Sequence, residues 1–520
     1  MSILDSIIGS LTWSSNWWWL LFTLPYLLAL LSIPSVLLQR RGAPLSALSW
    51  SLTLFSLPYL GLFLWWAMGR NHLKRRRRKR RLAALHVADR MSALREDLPP
   101  CPEVDWDLLP IKRLPADMAQ WVFPSTAGNR VKLLVDAAEA YPAVERAVRE
   151  ATDHVHVMFY IWENDTTGRW FRDLLAEKAA EGVEVRVMVD AVGSSGISRK
   201  FMEPLRRAGA QVEVFLRPNL LSRAPHFNFR NHRKIVLADG RVAFVGGMNI
   251  GDEYTHDWHD TAIELRGPVV DHLQEVFADD WFFVTGRNLT ESRYFGRWAE
   301  GATETPPYDG LPAGRTTQTY RPPGRPSYEA RQAGSLSHEA VCHVVASGPH
   351  MQQNTTRDAF FAAATQAKQR IYITTPYFIP DQSLQTALRT AAYRGVDVRV
   401  LLPGESDWRL VQWAARSYYP ELLASGVRIF EYQGGMVHAK NIVLDEDVSM
   451  VGSANLDIRS FRLNFELSCF VKDVALNEEL SALFERNLQR SQEVELEALR
   501  RRHVVVRLTD AVANLLSPLM

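Results

Sequence analysis

His438–Glu466 reads HAKNIVLDEDVSMVGSANLDIRSFRLNFE, and the chain has used the same frame before, at His232–Asp260, as HRKIVLADGRVAFVGGMNIGDEYTHDWHD. One offset, 438 − 232 = 206, aligns the two stretches without a gap. At that offset His232 falls on His438, Lys234 on Lys440, Asp239 on Asp445, Gly246 on Gly452 and Asn249 on Asn455. Asp260 falls on Glu466. Gly247 falls on Ser453, the one chemical change among these polar and glycine positions. Two buried strand–turn–strand units of common fold would account for the apolar runs IVLAD and IVLDE. They would not account for His, Lys, Asn and a carboxylate recurring in register, so the repeat is chemical as well as structural.

The pattern around each motif is α/β. VKLLV, ending at Val135, reads as a strand, AVERAVREAT as a helix and HVHVMFYIW as a buried strand. WFRDLLAEKAAEGVEVRVMVDAVGS then reads as helix, turn at Gly182 and strand. The second half repeats the plan in TRDAFFAAATQAKQRIYITTPYFIP and LQTALRTAAYRGVDVRVLLPG, where Gly395 takes the place of Gly182. Those glycines differ by 213, seven more than the histidines, so loops vary while each motif stays rigid. Alternating helices and strands predict two sheet domains with helices packed on them, over 129–300 and 338–490. Between them, 301–337 is rich in Pro, Gly, Thr and Arg and reads as an irregular linker. The tail at 491–520 is amphipathic, suited either to a bilayer surface or to packing on the second domain.

The N-terminal segment, 1–70, is of another kind. Trp17–Leu38 and Leu45–Met68 carry no charged residue and are long enough to cross the ~30 Å hydrocarbon core as helices. Arg40 and Arg41 stand in the turn between them, and tryptophans near the ends suit the interface. Pro25, Pro34 and Pro58 are compatible with membrane helices. No Lys or Arg precedes Arg40, which argues against a cleaved leader. The expectation is a two-helix transmembrane hairpin. Lys74–Arg81, KRRRRKRR, opens a basic juxtamembrane linker over 71–128 and places everything after Met68, and the N-terminus, on the cytoplasmic side. The same run suits anionic headgroups.

Composition adds bounds. With 520 residues, 23% charged and 47% apolar, the chain is ordinary globular material apart from its N-terminus. Sixty basic against 58 acidic residues give a net charge of +2, so any preference for anions is local. Cys101, Cys342 and Cys469 form no CxxC or Cys/His metal spacing, and a disulfide framework is not expected.

In H-x-K, strand alternation puts His232 and Lys234 on one face, and likewise His438 and Lys440. An imidazole beside a fixed ammonium suits attack on a phosphodiester, because the cation offsets the anionic oxygens that repel a nucleophile. Asn249, Asn455 and the Ser453 hydroxyl follow tight turns and can donate to the same oxygens. Asp260 and Glu466 can accept an imidazole N–H and fix its tautomer. Two copies facing each other supply a nucleophile on one side of phosphorus and a proton donor on the other. No metal or other cofactor is required, since the lysines supply the charge. His256, Asp257 and His259 beside Asp260 invite a metal assignment, but the second copy has no equivalent of either histidine.

Two HxKxxxxD copies, each followed by G-[GS]-x-N, resemble the phospholipase D superfamily. The resemblance is closer to its bacterial cardiolipin synthases and extends over YIWENDTTG, TPYFIPD, SANLDIRSFRLNFE and the LLSPLM ending. It implies a pseudo-twofold pair of phospholipase D-like α/β/α sandwich domains with the active site between them, behind the transmembrane hairpin. It also implies a phosphatidyltransferase that joins two phosphatidylglycerols into cardiolipin and glycerol through a phosphatidyl-histidine. His232 or His438 is then the nucleophile, with His232 preferred. Lys234, Lys440, Asn249, Asn455 and Ser453 would bind phosphate, and Asp260 and Glu466 would orient the histidines. Asp239 and Asp445 complete the motif, with structural roles expected from their distance along the strand. The expected partners are phosphatidylglycerol and other anionic lipids. A phospholipase D-type hydrolase, or transfer from a donor such as phosphatidylethanolamine, would use the same residues. Nucleic acid is not expected, because the basic run lies by the hairpin and not around the motifs.

Overall fold

The computed structural model describes residues 23–40, 44–66, 74–99, 104, 106, 108–109, 114, 116–216, 229–299, 339–351 and 354–517. The chain divides between Arg78 and Lys79 into two units. In the N-terminal unit residues 23–39 are helical, about 25 Å at 1.5 Å per residue, and Pro44–Ser56 and Pro58–Leu64 form two further helices. The break lies where Pro58 has no N–H to donate. It forces Leu57 out of the helical region, to φ −133° and ψ 68°, and starts a new helix. Pro58 thus interrupts the second expected span. Among the described residues no helix is long and apolar enough to cross a membrane. The expected spans also include 17–22 and 67–68, which lie outside the described residues. The helices pack through Ala29, Val36, Ala47, Leu54 and Trp65. Leu30, Leu31, Leu45, Phe55 and Phe63 stay exposed.

The second unit is built on a large mixed sheet. Its first-half strands are β1 (Thr126–Val135), β2 (His154–Phe159), β3 (Glu184–Asp190), β4 (Gln211–Phe215), β5 (Arg230–Asn231), β6 (Ile235–Ala238) and β7 (Val242–Gly246). β8 (Trp258–His259) and β9 (Thr261–Arg266) complete that half. The second half contributes β10 (Ala340–Ser347), β11 (Arg370–Thr374), β12 (Phe378–Ile379), β13 (Asp397–Pro403), β14 (Arg428–Tyr432) and β15 (Met436–Val437). β16 (Asn441–Leu444), β17 (Val448–Gly452), β18 (Leu456–Asp457), β19 (Asn464–Lys472) and β20 (Ser491–Glu493) follow.

From one edge the main sheet runs β4-β3-β2-β6-β7-β9-β1, then β10-β19-β17-β16-β11-β13-β14-β20. Apart from β20 the second series repeats the first in reverse. The two sheets expected from the sequence are therefore joined edge to edge. β1 and β10 pair antiparallel, with Thr126 opposite Cys342 and Asn129 opposite Ala340, so neither leaves its backbone groups unpaired at the join. Strands such as HVHVMF are buried on both faces, as continuous apolar runs in a helix-covered sheet should be. The linker expected at 301–337 lies outside the described residues.

The basic run opens the helix Lys74–Arg95, whose Ala84, Val87 and Met91 enter the main core. Arg80 is buried with it. Its guanidinium meets Asp279 at 2.6 Å and Asp280 at 2.5 Å, close to the rings of Trp121, Phe283 and Phe465. At least this member of the run is a core residue and not a membrane contact.

Candidate active site

Each histidine is delivered by a strand pair that crosses between the halves. β5 lies parallel to β19, with Arg230 opposite Asn464 and Asn231 opposite Phe465. β15 lies parallel to β8, with Met436 opposite Trp258 and Val437 opposite His259. Adding 206 to the β5 positions and subtracting 206 from the β19 positions gives the second register, so the crossing obeys the sequence repeat. The next backbone bonds keep the symmetry. His232 N–H donates to the Phe465 carbonyl at 2.9 Å and His438 N–H to the His259 carbonyl at 2.6 Å. Each acceptor immediately precedes a carboxylate, and that carboxylate is thereby set beside the histidine of the other half.

His232 Nδ1 lies 3.0 Å from Glu466 Oε2, and His438 Nδ1 lies 2.6 Å from Asp260 Oδ2. The carboxylates orient the histidines, as their chemistry suggested, but in crossed pairs that no reading of one copy reveals. With Nδ1 engaged in both rings, Nε2 is the nitrogen left to react. Asp260 and Glu466 are fully buried. Burial alone would push each carboxyl up. At Asp260 this is outweighed by Lys440 and His438, and at Glu466 by His232 and Lys234, so both stay ionised below the ordinary carboxylate range.

The Gly247/Ser453 difference has a spatial cause. A Cβ at Gly247 would overlap the Asp260 carboxylate. In the other half the side chain is a methylene longer, and the residue opposite it is a serine whose Oγ donates to Glu466 Oε2 at 2.5 Å. Asn464 Nδ2 holds the other oxygen, Oε1, at 3.0 Å. Short acid with glycine and long acid with serine are thus matched solutions to one geometry. The Ser453 hydroxyl, expected at phosphate, is engaged with Glu466.

Lys234 Nζ donates to the His232 carbonyl at 2.7 Å, and Lys440 Nζ to the His438 carbonyl. Both ammonium groups are buried. Burial and then Lys440 push Lys234 well below the ordinary lysine value, whereas Lys440, pushed down mainly by burial and supported by Asp260 and Glu466, sits at about 8. Lys440 therefore keeps its proton at neutral pH. Burial also lowers the imidazoles, His232 to about 4 and His438 to about 3, with the lysines adding to the fall and the carboxylates opposing it. Both rings are neutral at pH 7 in the free protein.

The remaining expected residues are placed as follows. Asn249 Nδ2 donates to Tyr254 Oη at 2.6 Å and its Oδ1 accepts from Ile161 N–H at 3.1 Å, which ties the loop after β7 to the one after β2. Asn455 is buried and its Oδ1 has no partner among the described residues. Asp239 accepts from the N–H groups of Thr152, Asp153 and His154 at 2.8–3.0 Å. Asp445 does the same for Lys368, Gln369 and Arg370 at 2.7–3.2 Å. Both acids lie in the left-handed region, at φ 54° and 46°, in the turn beyond the histidine strand. They fasten that turn to the start of β2 or β11, away from the imidazoles. In the HDWHD group the side chains diverge: Asp260 faces His438, while His259 Nδ1 meets Asp136 at 3.0 Å.

The sequence reading missed the aromatic walls and one cation. The Tyr160 ring lies edge-on to His232 with centroids 4.7 Å apart, and Lys234 sits 5.4 Å above it. Trp258 and Tyr254 flank His438 at 4.7 and 5.7 Å. Arg233, between His232 and Lys234, is buried and donates to Asp280 Oδ2 at 2.6 Å, the Glu466 carbonyl at 3.1 Å and the Ser347 carbonyl at 3.1 Å. Tyr160 gave no signal from the repeat, since Pro376 stands at its place in the second copy. Arg233 gave none, since Ala439 stands at its place in the second copy.

The chain is similar to known proteins over nearly its whole length. A family model described as "Cardiolipin synthase, PLD-like domain" matches twice, at residues 144–281 and 361–488. The chain is 33% identical to a cardiolipin synthase of Geobacillus kaustophilus over 100% of its own length and 99% of the relative's. It is 35% identical to cardiolipin synthase A of Pseudomonas fluorescens, over 96% and 98%. Among solved structures, phosphatidylserine synthase of Haemophilus influenzae covers 75% of this chain and 95% of its own, with a TM-score of 0.52 at 15% identity, a likeness of fold. The chain belongs to the cardiolipin synthase family of phospholipase D-like proteins.

Proposed function

We propose that the enzyme transfers the phosphatidyl group of one phosphatidylglycerol to a glycerol hydroxyl of another, giving cardiolipin and free glycerol. The observation that carries this reading is the crossed pair, in which each histidine is held by the other half's carboxylate, so that the halves make one site. His232 Nε2 attacks phosphorus and the bond to the headgroup glycerol oxygen breaks, with the leaving oxygen taking a proton from His438. The product of this step is a phosphatidyl-histidine. His438, now neutral, removes the proton from the acceptor's glycerol hydroxyl as that oxygen displaces His232. We assign attack to His232 because Glu466 is braced by both Ser453 and Asn464, which fixes that imidazole more fully. The negative phosphodiester raises the pKa of both rings when it binds, which supplies the proton His438 needs. Lys440 and Lys234 face the phosphate oxygens, and Asn455 completes their cradle. No metal or other cofactor enters the scheme.

We read the fold as a pseudo-twofold pair of α/β/α domains, 129–300 and 338–490, fused at β1 and β10. The N-terminal segment is read as a hairpin across the bacterial inner membrane, with the catalytic unit on the cytoplasmic face. Its outward Leu30, Leu31, Phe55 and Phe63 suit acyl chains better than water.

The test is to incubate the membrane-embedded protein with phosphatidylglycerol alone and to follow lipids and glycerol. Cardiolipin and glycerol in equal amounts are expected. Phosphatidic acid without cardiolipin would replace this reading with hydrolysis.

A further inference from the structure

The C-terminal helix Val504–Leu515 is apolar on two opposite sides. One side is used: Ala513 joins Val411, Ala414 and Ile379 in a small cluster, Ser417 Oγ donates to the Asp510 carbonyl at 2.8 Å, and Arg502 holds the Asp510 carboxylate at 2.8 Å. The other side is a stripe of Val505, Leu508, Val512 and Leu515, which are 59, 59, 60 and 79% exposed. Their 3-4-3 spacing keeps all four on one face. On the neighbouring helix, Arg409–Arg416, Leu410 and the preceding Trp408 are exposed as well.

This surface packs on elements that lead to the active site, since β12 pairs with β18 just after Asn455. Asp407, next to Trp408, accepts from Tyr377 Oη at 2.8 Å, and its charge is felt at Lys440. The cluster under the helix includes Ile379 of β12 and packs against Tyr377 and Ile458. Arg409, Arg500, Arg501, His503 and Arg507 are exposed around the stripe. A second copy docking here would bring like charges together. An anionic lipid surface would bring opposite ones, and an aromatic beside arginines on an amphipathic helix is the usual furnishing of an interfacial segment.

We propose that the outward stripe of Val504–Leu515, with Trp408 and Leu410, inserts at the headgroup–acyl boundary of an anionic bilayer and holds the mouth of the active site against it. The lipid diester then reaches the lysines without its acyl chains having to cross water.

The test uses the full-length protein in nanodiscs containing phosphatidylglycerol. In a Cys101→Ser background, with Cys342 and Cys469 buried, Val512→Cys is labelled with a fluorophore, and Glu478→Cys serves as the exposed control. Quenching by bromine on the acyl chains is expected at position 512 and absent at 478, with the reverse for aqueous iodide. Iodide quenching at 512 equal to that at 478 would overturn the proposal. Shielding from both quenchers would overturn it too, by showing a protein occupant. This arm needs no turnover, so it stands or falls separately from the transferase reading. A second arm rests on that reading: Val505→Glu/Val512→Glu should lower turnover of bilayer phosphatidylglycerol about tenfold and leave turnover of a monomeric short-chain analogue unchanged. Equal loss on both substrates would count against the proposal, as would no loss on either.

Discussion

The two copies of the motif differ more in what stands behind the histidines than in the histidines themselves. Behind His232 is a buried ionic network in which Arg233 and Asn231 meet Asp280, and Asp280 meets Arg80 from the basic helix. At the matching position behind His438 is Ala439, buried without charge. The acids differ in the same sense. Glu466 is braced by Ser453 and Asn464, while Asp260 takes its further bond from the N–H of Thr261 at 2.7 Å. A twofold reaction needs symmetry only at the reacting atoms. The supports diverged, and they assign the halves different mechanical duties.

The comparison breaks most visibly at the histidines. His232→Ala and His438→Ala should each lower the rate of cardiolipin formation by at least about a thousandfold, measured with labelled phosphatidylglycerol. Substantial activity in either would end the two-histidine scheme. In the His438→Ala protein, mass spectrometry of trapped enzyme should find the phosphatidyl group on His232. Finding it on His438 in the His232→Ala protein instead would exchange their roles.

Next in size is the network. Asp280→Asn leaves two buried guanidinium groups short of charge and should cost about 3–5 kcal/mol of unfolding free energy. Ala439→Ser, at the matching place, should cost far less. Equal losses in denaturant titrations would show that the asymmetry has no mechanical meaning.

The acid–turn pairs give a finer test. Gly247→Ser should impair activity by crowding Asp260, and adding Asp260→Glu should recover part of it, with a coupling of about 1–3 kcal/mol in a double-mutant cycle. Additive effects would show that the glycine–aspartate match is accidental.

The smallest expected effect lies in the pH dependence of phosphatidylglycerol binding, measured in the His232→Ala protein. Lys440, at about 8, loses its charge as pH rises, so binding should weaken on the alkaline side from about that pH. An affinity unchanged to about pH 10 would remove Lys440 from phosphate binding.

The motif residues were legible in the sequence because each copy carries them at fixed spacing and repetition separates chemistry from packing. The exchange of carboxylates was not legible. Asp260 lies 28 residues from His232 and as far, in repeat register, as Glu466 lies from His438. Only the β5–β19 and β8–β15 pairings show that each acid serves the other half. Ser453 looked like a phosphate ligand because its neighbour Glu466, thirteen residues on, folds back onto it. Arg80 looked like one of eight equivalent cations, and burial singles it out. The interruption at Pro58 was written in the residue itself, but apolar length outweighed it in the reading.

The seam between β1 and β10 has a temporal consequence. A two-step transfer must wait, with one lipid covalently attached, until another arrives, and during that wait water competes for the same phosphorus. Many enzymes with a site between two lobes open and close around it. Here the backbone ladder continues across the seam and acts as a splint that resists the halves parting and wetting the intermediate.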